Sequence, residues 1–429
     1  MAMNNGWTGG QYRLYRAIFG GYLLVHYCGL IAWGPELFSR AGVLPDAWDS
    51  PLARLFPNIL TVWDSSGFVQ FLLVLGACLS VLFAIGLWDR VAAVMLWYLG
   101  TCLVDRNPLI MNPALPYLGW LLLAHALLPR TAYGSFSRDH DDGRWRMPSD
   151  LYTVGWILMA VGYTYSGLNK LGSPSWLDGS ALARILASPL ARPGLLRDAL
   201  IHMPAGFLRF ASWGALALEI GFAPLSLVRR ARPWIWSGMC AVHLALFGLV
   251  AFPDLTAGML MLHLFTLDPS WIPAMQPDVR ENIFYDGSCG LCHWSVRFAI
   301  GEDLSESKFR FAPLGGKVFE SLIAPTRRVG LPDSLIVLTA ADRILVRSAV
   351  VIHILRRLGG AWICVAGLLA LLPRQVADAA YDFVARSRHR FFRRRNRVCL
   401  IIPPHLAGIA DEHARTQTRP ITIPASLVR

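Results

Sequence analysis

Apolar positions are unevenly distributed along this chain. Long hydrophobic runs begin near Tyr12, Phe68, Val91, Asn112, Leu151, Ala205, Pro233 and Asp254. A helix needs roughly 20 apolar residues to cross a bilayer, so the pattern predicts about eight membrane segments, several short enough to need tilt or re-entry. Past residue 270 the pattern changes. "NIFYDG" alternates as a strand does, "LCHWSVRFAI" fits a helix, and "DSLIVLTAADRILV" predicts a β-hairpin whose strands are separated by "TAADR". "SAVVIHILRRL" predicts an amphipathic helix. "AWICVAGLLALLP" is too short to span a bilayer and is expected to be the core helix of this part. "LDPSWIPAMQPDVREN", with three prolines, separates the two regions. The expected fold is a polytopic α-helical membrane domain over residues 1–270, a linker over 271–281, a small mixed α/β domain over 282–403, and a tail over 404–429.

Composition supports a membrane protein. Hydrophobic residues make up 55% of the 429 and charged residues 16%, against roughly 45–50% and 25% in ordinary soluble domains. Basic residues set the orientation. Arg13 and Arg16 flank the first run and Arg90 follows the second. Arg130, Arg138, Arg144 and Arg146 follow the fourth, and Arg229, Arg230 and Arg232 follow the sixth. All fall on one side, expected to be cytoplasmic. An even count returns the C-terminal domain to that side, giving a multi-pass protein of a bacterial inner membrane with both termini cytoplasmic. Ser39–Ser66 and Gly172–Pro204 then face outward as lids or interfacial helices. Met1–Gln11 is polar, and no small-residue cleavage site follows the first run, so no signal peptide is expected. The formal charge of +12 and the run "RSRHRFFRRRNR", where seven arginines surround Phe391 and Phe392, fit contact with anionic lipid better than with nucleic acid.

Of eight cysteines, only Cys289 and Cys292 form a close pair. Cys28, Cys78, Cys102 and Cys240 are expected as small buried hydrophobes. "YDGSCGLCHW" puts the pair at a strand-to-helix turn. The first sulfur would meet unpaired backbone N–H groups, which stabilise a thiolate, and the second would lie one turn along. A lone C-x-x-C can also be structural or half of a metal site. No second pair exists, and His293 alone does not complete a ligand set, so no metal is assigned.

The region from Ile283 to Pro403 resembles the DCC family of thiol–disulfide oxidoreductases, through "FYDGSCGLC", "FRFAPLGG", "DSLIVL", "VRSAVVIHILRRLGG" and "YDFVARSRHRFFRRR" followed by Cys399. The resemblance implies a thioredoxin-like fold with a redox-active disulfide, Cys289 as nucleophile and Cys292 as resolving thiol. It also implies that Asp286 orients or deprotonates the pair, although an aspartate before Gly287 also fits an ordinary turn. Pro332 is the candidate for the cis-proline that thioredoxins hold against their dithiol.

Lys170 closes an apolar helix, with Gly172 as its expected C-cap. A lysine there can simply cap carbonyls and snorkel to the interface. The surrounding "YSGLNKLGSPSWLDG" resembles the vitamin K-dependent γ-glutamyl carboxylase and its HTTM relatives, with diffuse support from "RAIFGGYLLVHY", "NPALPYLGWLLLAHALLP", "ALALEIGFAPL" and "CAVHLALFGL". That resemblance implies that Lys170 is the base that starts oxygenation of a hydroquinone. Two departures from that family bear on protein γ-carboxylation. The large lumenal domain is missing, and the carboxylase histidine beyond the fourth span has only His125 as a candidate. Ionisable groups at membrane depth are costly, which makes His26, His125, Glu219, His243 and His263 site candidates. His125, Glu219, His243 and His263 are the candidates for binding a quinone, although packing histidines would look the same. The function expected is a membrane redox enzyme that couples dithiol–disulfide exchange to chemistry on a quinone-like or other lipophilic substrate. Its partners would be the bilayer, a quinone and a thiol donor or acceptor protein. The rival reading is a non-catalytic membrane scaffold or lipid-binding module whose dithiol senses redox state.

Overall fold

The computed structural model describes residues 3–50, 56–129, 145–275, 279–303 and 308–391. Arg130, Arg138, Arg144, Cys399, most of the arginine run and the tail lie outside the described residues. The chain divides into two compact units, with the main boundary between Leu267 and Asp268; Gly6–Gln11 clusters with the C-terminal unit.

Every apolar run of the N-terminal unit forms a helix: Gly9–Ile31, Ser66–Ile85, Asp89–Arg106, Leu115–Leu127, Ser149–Lys170, Ala205–Ser226, Arg232–Leu249 and Pro253–Thr266. The expected count of about eight spans is not reached. Among the described residues, Gly9–Ile31 and Ser66–Ile85 are long and apolar enough to cross a membrane. A third span is possible only if the bent pair Ala361–Ala370 and Arg374–Arg388 counts as one. Several of the other helices are short, as Leu115–Leu127 is, or carry ionisable residues within their length, as Asp89–Arg106 does. Two or three spans are consistent with membrane association. The expected lid Ser39–Ser66 contains 3-10 turns at Ala47–Asp49 and Ile59–Thr61, and Gly172–Pro204 contains short helices at Pro174–Leu177, Ala181–Ala187 and Leu195–Ile201. Of the four cysteines expected inside, only Cys102 is buried; Cys28 and Cys78 are exposed and Cys240 is intermediate. The first two stand on outward helix faces, which in a membrane protein need no polar cover.

The C-terminal unit carries a four-stranded mixed sheet in the order β2-β1-β3-β4. Strand β1 (Glu281–Tyr285) is parallel to β2 (Phe309–Pro313) and antiparallel to β3 (Ile336–Leu338), which pairs antiparallel with β4 (Ile344–Val346). Thr339–Arg343, the "TAADR" segment, joins the last two strands. The pleat sends alternate residues to opposite faces. Ile283, Tyr285 and Val337 enter one core with Cys289, Cys292, Val296 and Phe311. Phe284, Ile336 and Leu338 enter a second with Ala312, Phe319 and Ile323. Burial on both faces explains the apolar run Ile283–Tyr285 that ends β1. The helix Ser348–Leu358 forms as its amphipathic pattern predicts.

"AWICVAGLLALLP" does form a helix, Ala361–Ala370, but not a core one. Ala366 alone is buried in it, and Leu368 and Leu371 are 68% and 80% exposed. Its first turn is anchored where Trp362 Nε1 donates to Glu302 Oε2 at 2.7 Å. Glu302 also accepts from the Thr8 hydroxyl and from the Gly10 amide. Burial pushes this carboxyl up in pKa, against the pull of those donors.

Candidate functional site

The dithiol lies where β1 ends and the helix Gly290–Glu302 begins. Asp286 starts the turn: its Oδ1 accepts from the Ser288 amide and from the Ser288 hydroxyl, both at 2.8 Å. Its own carbonyl accepts from Cys289 N at 3.2 Å. Cys289 is the N-cap residue, with extended backbone (φ −97°, ψ 119°), and its carbonyl accepts the first helical bond from His293 N. Cys289 thus closes the N-terminal end of a 13-residue helix, and its side chain makes no cap hydrogen bond there. His293 points back into the turn, its Nε2 bonding the Gly287 carbonyl at 2.7 Å. That contact ties the loop to the helix. Among the described residues, no cluster of His, Cys, Asp and Glu could hold a metal.

Both thiols are free and shielded, Cys289 at 1% and Cys292 at 4% exposed. Burial, with Cys289 beside it, pushes the Cys292 thiol up to about 12. It is therefore held protonated at neutral pH. Part of that push comes from Cys289 itself, so it weakens once Cys289 is engaged in a bond to a partner.

Two further residues complete the site. The helix Arg374–Phe391 carries Tyr381 and Arg388, seven residues apart and so on one face. Arg388 is buried. Its Nη2 donates to Asp286 Oδ2 and to Asp333 Oδ2, both at 3.3 Å, and its Nη1 donates to the Asp333 carbonyl. Its charge acts on Cys292, as does the neighbouring Tyr381, whose phenol burial pushes up. Arg388 belongs to the arginine run expected to face lipid; in the structure it faces the dithiol. The seven-residue spacing was the available signal, but the charge density of the run masked it. Pro332 is not the expected cis-proline, since among the described residues every peptide bond is trans.

The candidates of the N-terminal unit form separate groups. Lys170 Nζ donates to Glu219 Oε2 at 2.5 Å and to Ser166 Oγ at 2.7 Å, and lies 5.1 Å from the centre of the Trp176 ring. The two helices meet closely because residue 167 is glycine: a Cβ there would stand 2.8 Å from Ile220 N. His243 and His263 share one partner that the sequence reading missed. The Tyr163 hydroxyl bonds Nε2 of each at 2.7 Å. Their Nδ1 atoms are buried without a hydrogen-bond partner among the described residues. Tyr163, Ser166 and Lys170 follow the i, i+3, i+7 spacing of one helix face, so the periodicity carried this signal. His125 stands apart: its Nδ1 bonds the Tyr12 hydroxyl at 2.7 Å, and its Nε2 lies 3.4 Å from Asp89, which pairs with Arg16.

The site is a buried C-x-x-C at a helix N-terminus, with the second thiol held protonated. Residues 283–394 match the DCC1-like thiol-disulfide oxidoreductase family, and this part of the chain is a domain of that kind. Over 128 residues the chain is 28% identical to "Uncharacterized protein YuxK" of Bacillus subtilis (strain 168), covering 29% of this chain and 88% of that protein. Over 119 residues it is 29% identical to "DCC family protein At1g52590, chloroplastic" of Arabidopsis thaliana, covering 28% and 69% respectively. No solved structure matches. The family match begins at residue 283 and lends nothing to the carboxylase-like resemblance of the N-terminal unit.

Proposed function

We propose that this chain is a membrane-bound enzyme of thiol–disulfide exchange, with Cys289 as nucleophile and Cys292 as resolving thiol. The observation that carries the reading is their asymmetry: Cys289 caps the helix, while Cys292 lies inside it with its pKa pushed up to about 12. The Cys289 thiolate attacks one sulfur of a partner disulfide, the partner S–S bond breaks, and its other sulfur leaves as a thiolate that takes a proton from water. Cys292 then gives its proton to water and attacks Cys289 Sγ. The second partner sulfur leaves, and the domain holds a Cys289–Cys292 disulfide. Two electrons pass to the partner, and a thiol donor must return them. Asp286 shapes the loop through Ser288 and holds Arg388, whose charge favours the emerging Cys292 thiolate. The sheet order and the β1–helix–β2 unit support a thioredoxin-like assignment.

The fuller reading couples this exchange to a quinone-like or other lipophilic substrate of the N-terminal unit, with both termini cytoplasmic. Its support is the presence of candidate spans and a dithiol in one chain. In this reading Lys170 would be the base, and it would first have to leave Glu219. The test is trapping: Cys292→Ser should accumulate mixed disulfides on Cys289, and Cys289→Ser should accumulate none. Equal alkylation of both sites at neutral pH, with nothing trapped, would leave only a structural pair.

A further inference from the structure

The N-terminal unit contains a cavity of about 370 Å³ walled by side chains of Gly9–Ile31, Asp89–Arg106 and Leu115–Leu127. That size lies at the small end of ligand sites, roughly 300–1,000 Å³. Its walls are apolar and aromatic, including Leu23, Tyr27, Trp97, Leu118 and Trp120. The hydroxyls at its edge already donate to backbone: Tyr27 to the Leu96 carbonyl at 3.2 Å and Thr101 to the Trp97 carbonyl at 2.8 Å. One side chain in the lining differs. His26 Nδ1 bonds Asp254 Oδ1 at 2.8 Å. Asp254 is further fixed by the Tyr22 hydroxyl at 2.9 Å and by Asn112 Nδ2 at 3.1 Å.

An ionised carboxylate only accepts hydrogen bonds, so Nδ1 must carry the proton. In the neutral ring this leaves Nε2 as an acceptor, and no described residue engages it. The cavity thus presents one oriented acceptor within hydrocarbon walls. An acceptor selects a donor, and the walls select a lipophile. None of His125, Glu219, His243 and His263 lines this space, and neither does Lys170.

We infer that the cavity binds a lipid-soluble molecule bearing a hydroxyl group, which donates to His26 Nε2 while its apolar body lies between Trp97 and Trp120. Asp254 acts by positioning: it fixes the tautomer and the ring plane. A slot for lipid chains would share the same walls but would not discriminate for a hydroxyl. The inference is independent of the dithiol chemistry, since no cysteine of the pair takes part.

The test uses the full chain in lipid nanodiscs and two probes, octylphenol and octylbenzene, which differ by one hydroxyl. Radiolabelled octylphenol is displaced by each unlabelled probe. The expected result is displacement by octylphenol at concentrations at least about tenfold lower, the discrimination typical of one buried hydrogen bond. His26→Phe keeps a ring in place and leaves Asp254 two donors; it should reduce octylphenol to the level of octylbenzene. Gly100→Leu should weaken both probes about tenfold or more, because a Cβ at this wall position meets only the Tyr27 hydroxyl at 3.7 Å and the added side chain fills the space. Equal displacement by the two probes in the unaltered protein would overturn the inference, and so would octylphenol binding that Gly100→Leu leaves intact.

Discussion

The dithiol of the C-terminal unit and the lysine of the N-terminal unit both sit at helix termini, and both were conspicuous in the sequence. Their surroundings differ in kind. Around Cys289 and Cys292 the structure places unlike environments on two identical groups, a cap position for one and a helix interior for the other. Around Lys170 it places matching partners, a carboxylate at 2.5 Å and a hydroxyl at 2.7 Å. Asymmetry between chemically equal groups leaves work for a reaction to do. Complementarity between opposite charges leaves little undone. A residue type at a helix end therefore says less about chemistry than whether its neighbours have already satisfied it.

The sharpest way to break this contrast is to compare exchange in single variants. Cys289→Ser should lower the rate of reduction of a small aromatic disulfide by roughly a hundredfold or more, because the thiolate is the nucleophile. Lys170→Arg should leave that rate unchanged. An Arg variant that slowed exchange would show that the two groups serve one reaction.

The next effect is on stability. Lys170→Met strands Glu219 beside a hydrocarbon side chain. Removing one partner of a fully buried pair costs about 3–5 kcal/mol. Lys170 and Glu219 are 24% and 12% exposed, and solvent screening reduces the expectation to roughly 2 kcal/mol. Lys170→Arg should stay within about 1 kcal/mol. Thermal unfolding in detergent reads both, and an undisturbed Met variant would show that the pair contributes nothing.

Arg388→Met should slow exchange about tenfold through the lost charge beside Cys292, a factor equivalent to about 1.4 kcal/mol, just under the usual ~1.5–3 kcal/mol range of a hydrogen bond to a charged group. Arg388→Lys should recover part of the rate, and an unaltered rate in Arg388→Met would reduce the residue to a structural clamp for Asp333.

The smallest effect is a pH dependence. The Cys292 value is raised in the folded state, so the unfolded chain gives up this proton first as pH rises. The associated stability is complete below the ordinary thiol value and is lost as pH climbs towards about 12. Hydrogen exchange of the reduced C-terminal unit should show protection falling across that window, and Cys292→Ala should flatten the fall.

How much of this was legible follows from the range of each interaction. The eight helices and the "TAADR" hairpin are set by periodicity and turn residues within a few positions, and the sequence carries those directly. Cys289 at a helix cap was local in the same sense. The Arg388–Asp286 contact spans 102 positions, so a run of like charges gave no sign that one member turned inward. Lys170–Glu219 and the Tyr163–histidine group likewise join separate helices. The exposed face of Ala361–Ala370 misled for a different reason: apolar composition predicts burial only where water is the alternative, and a helix beside a bilayer would have another solvent.

The buried carboxyl of Glu302 imposes an order on the biogenesis of this protein. Its partners Thr8 and Gly10 emerge from the ribosome nearly three hundred residues before it does, at sequence separations of 294 and 292. At about 5–20 residues per second, these N-terminal groups wait on the order of 15–60 seconds for their acceptor. Gly9 already begins the first candidate span, so that helix can enter the bilayer while its leading residues are still unpaired. Stalled chains that stop short of residue 302 should keep Gly6–Gln11 open to protease, and full-length chains should protect it. Gly6–Gln11 is thus made long before the carboxyl that secures it.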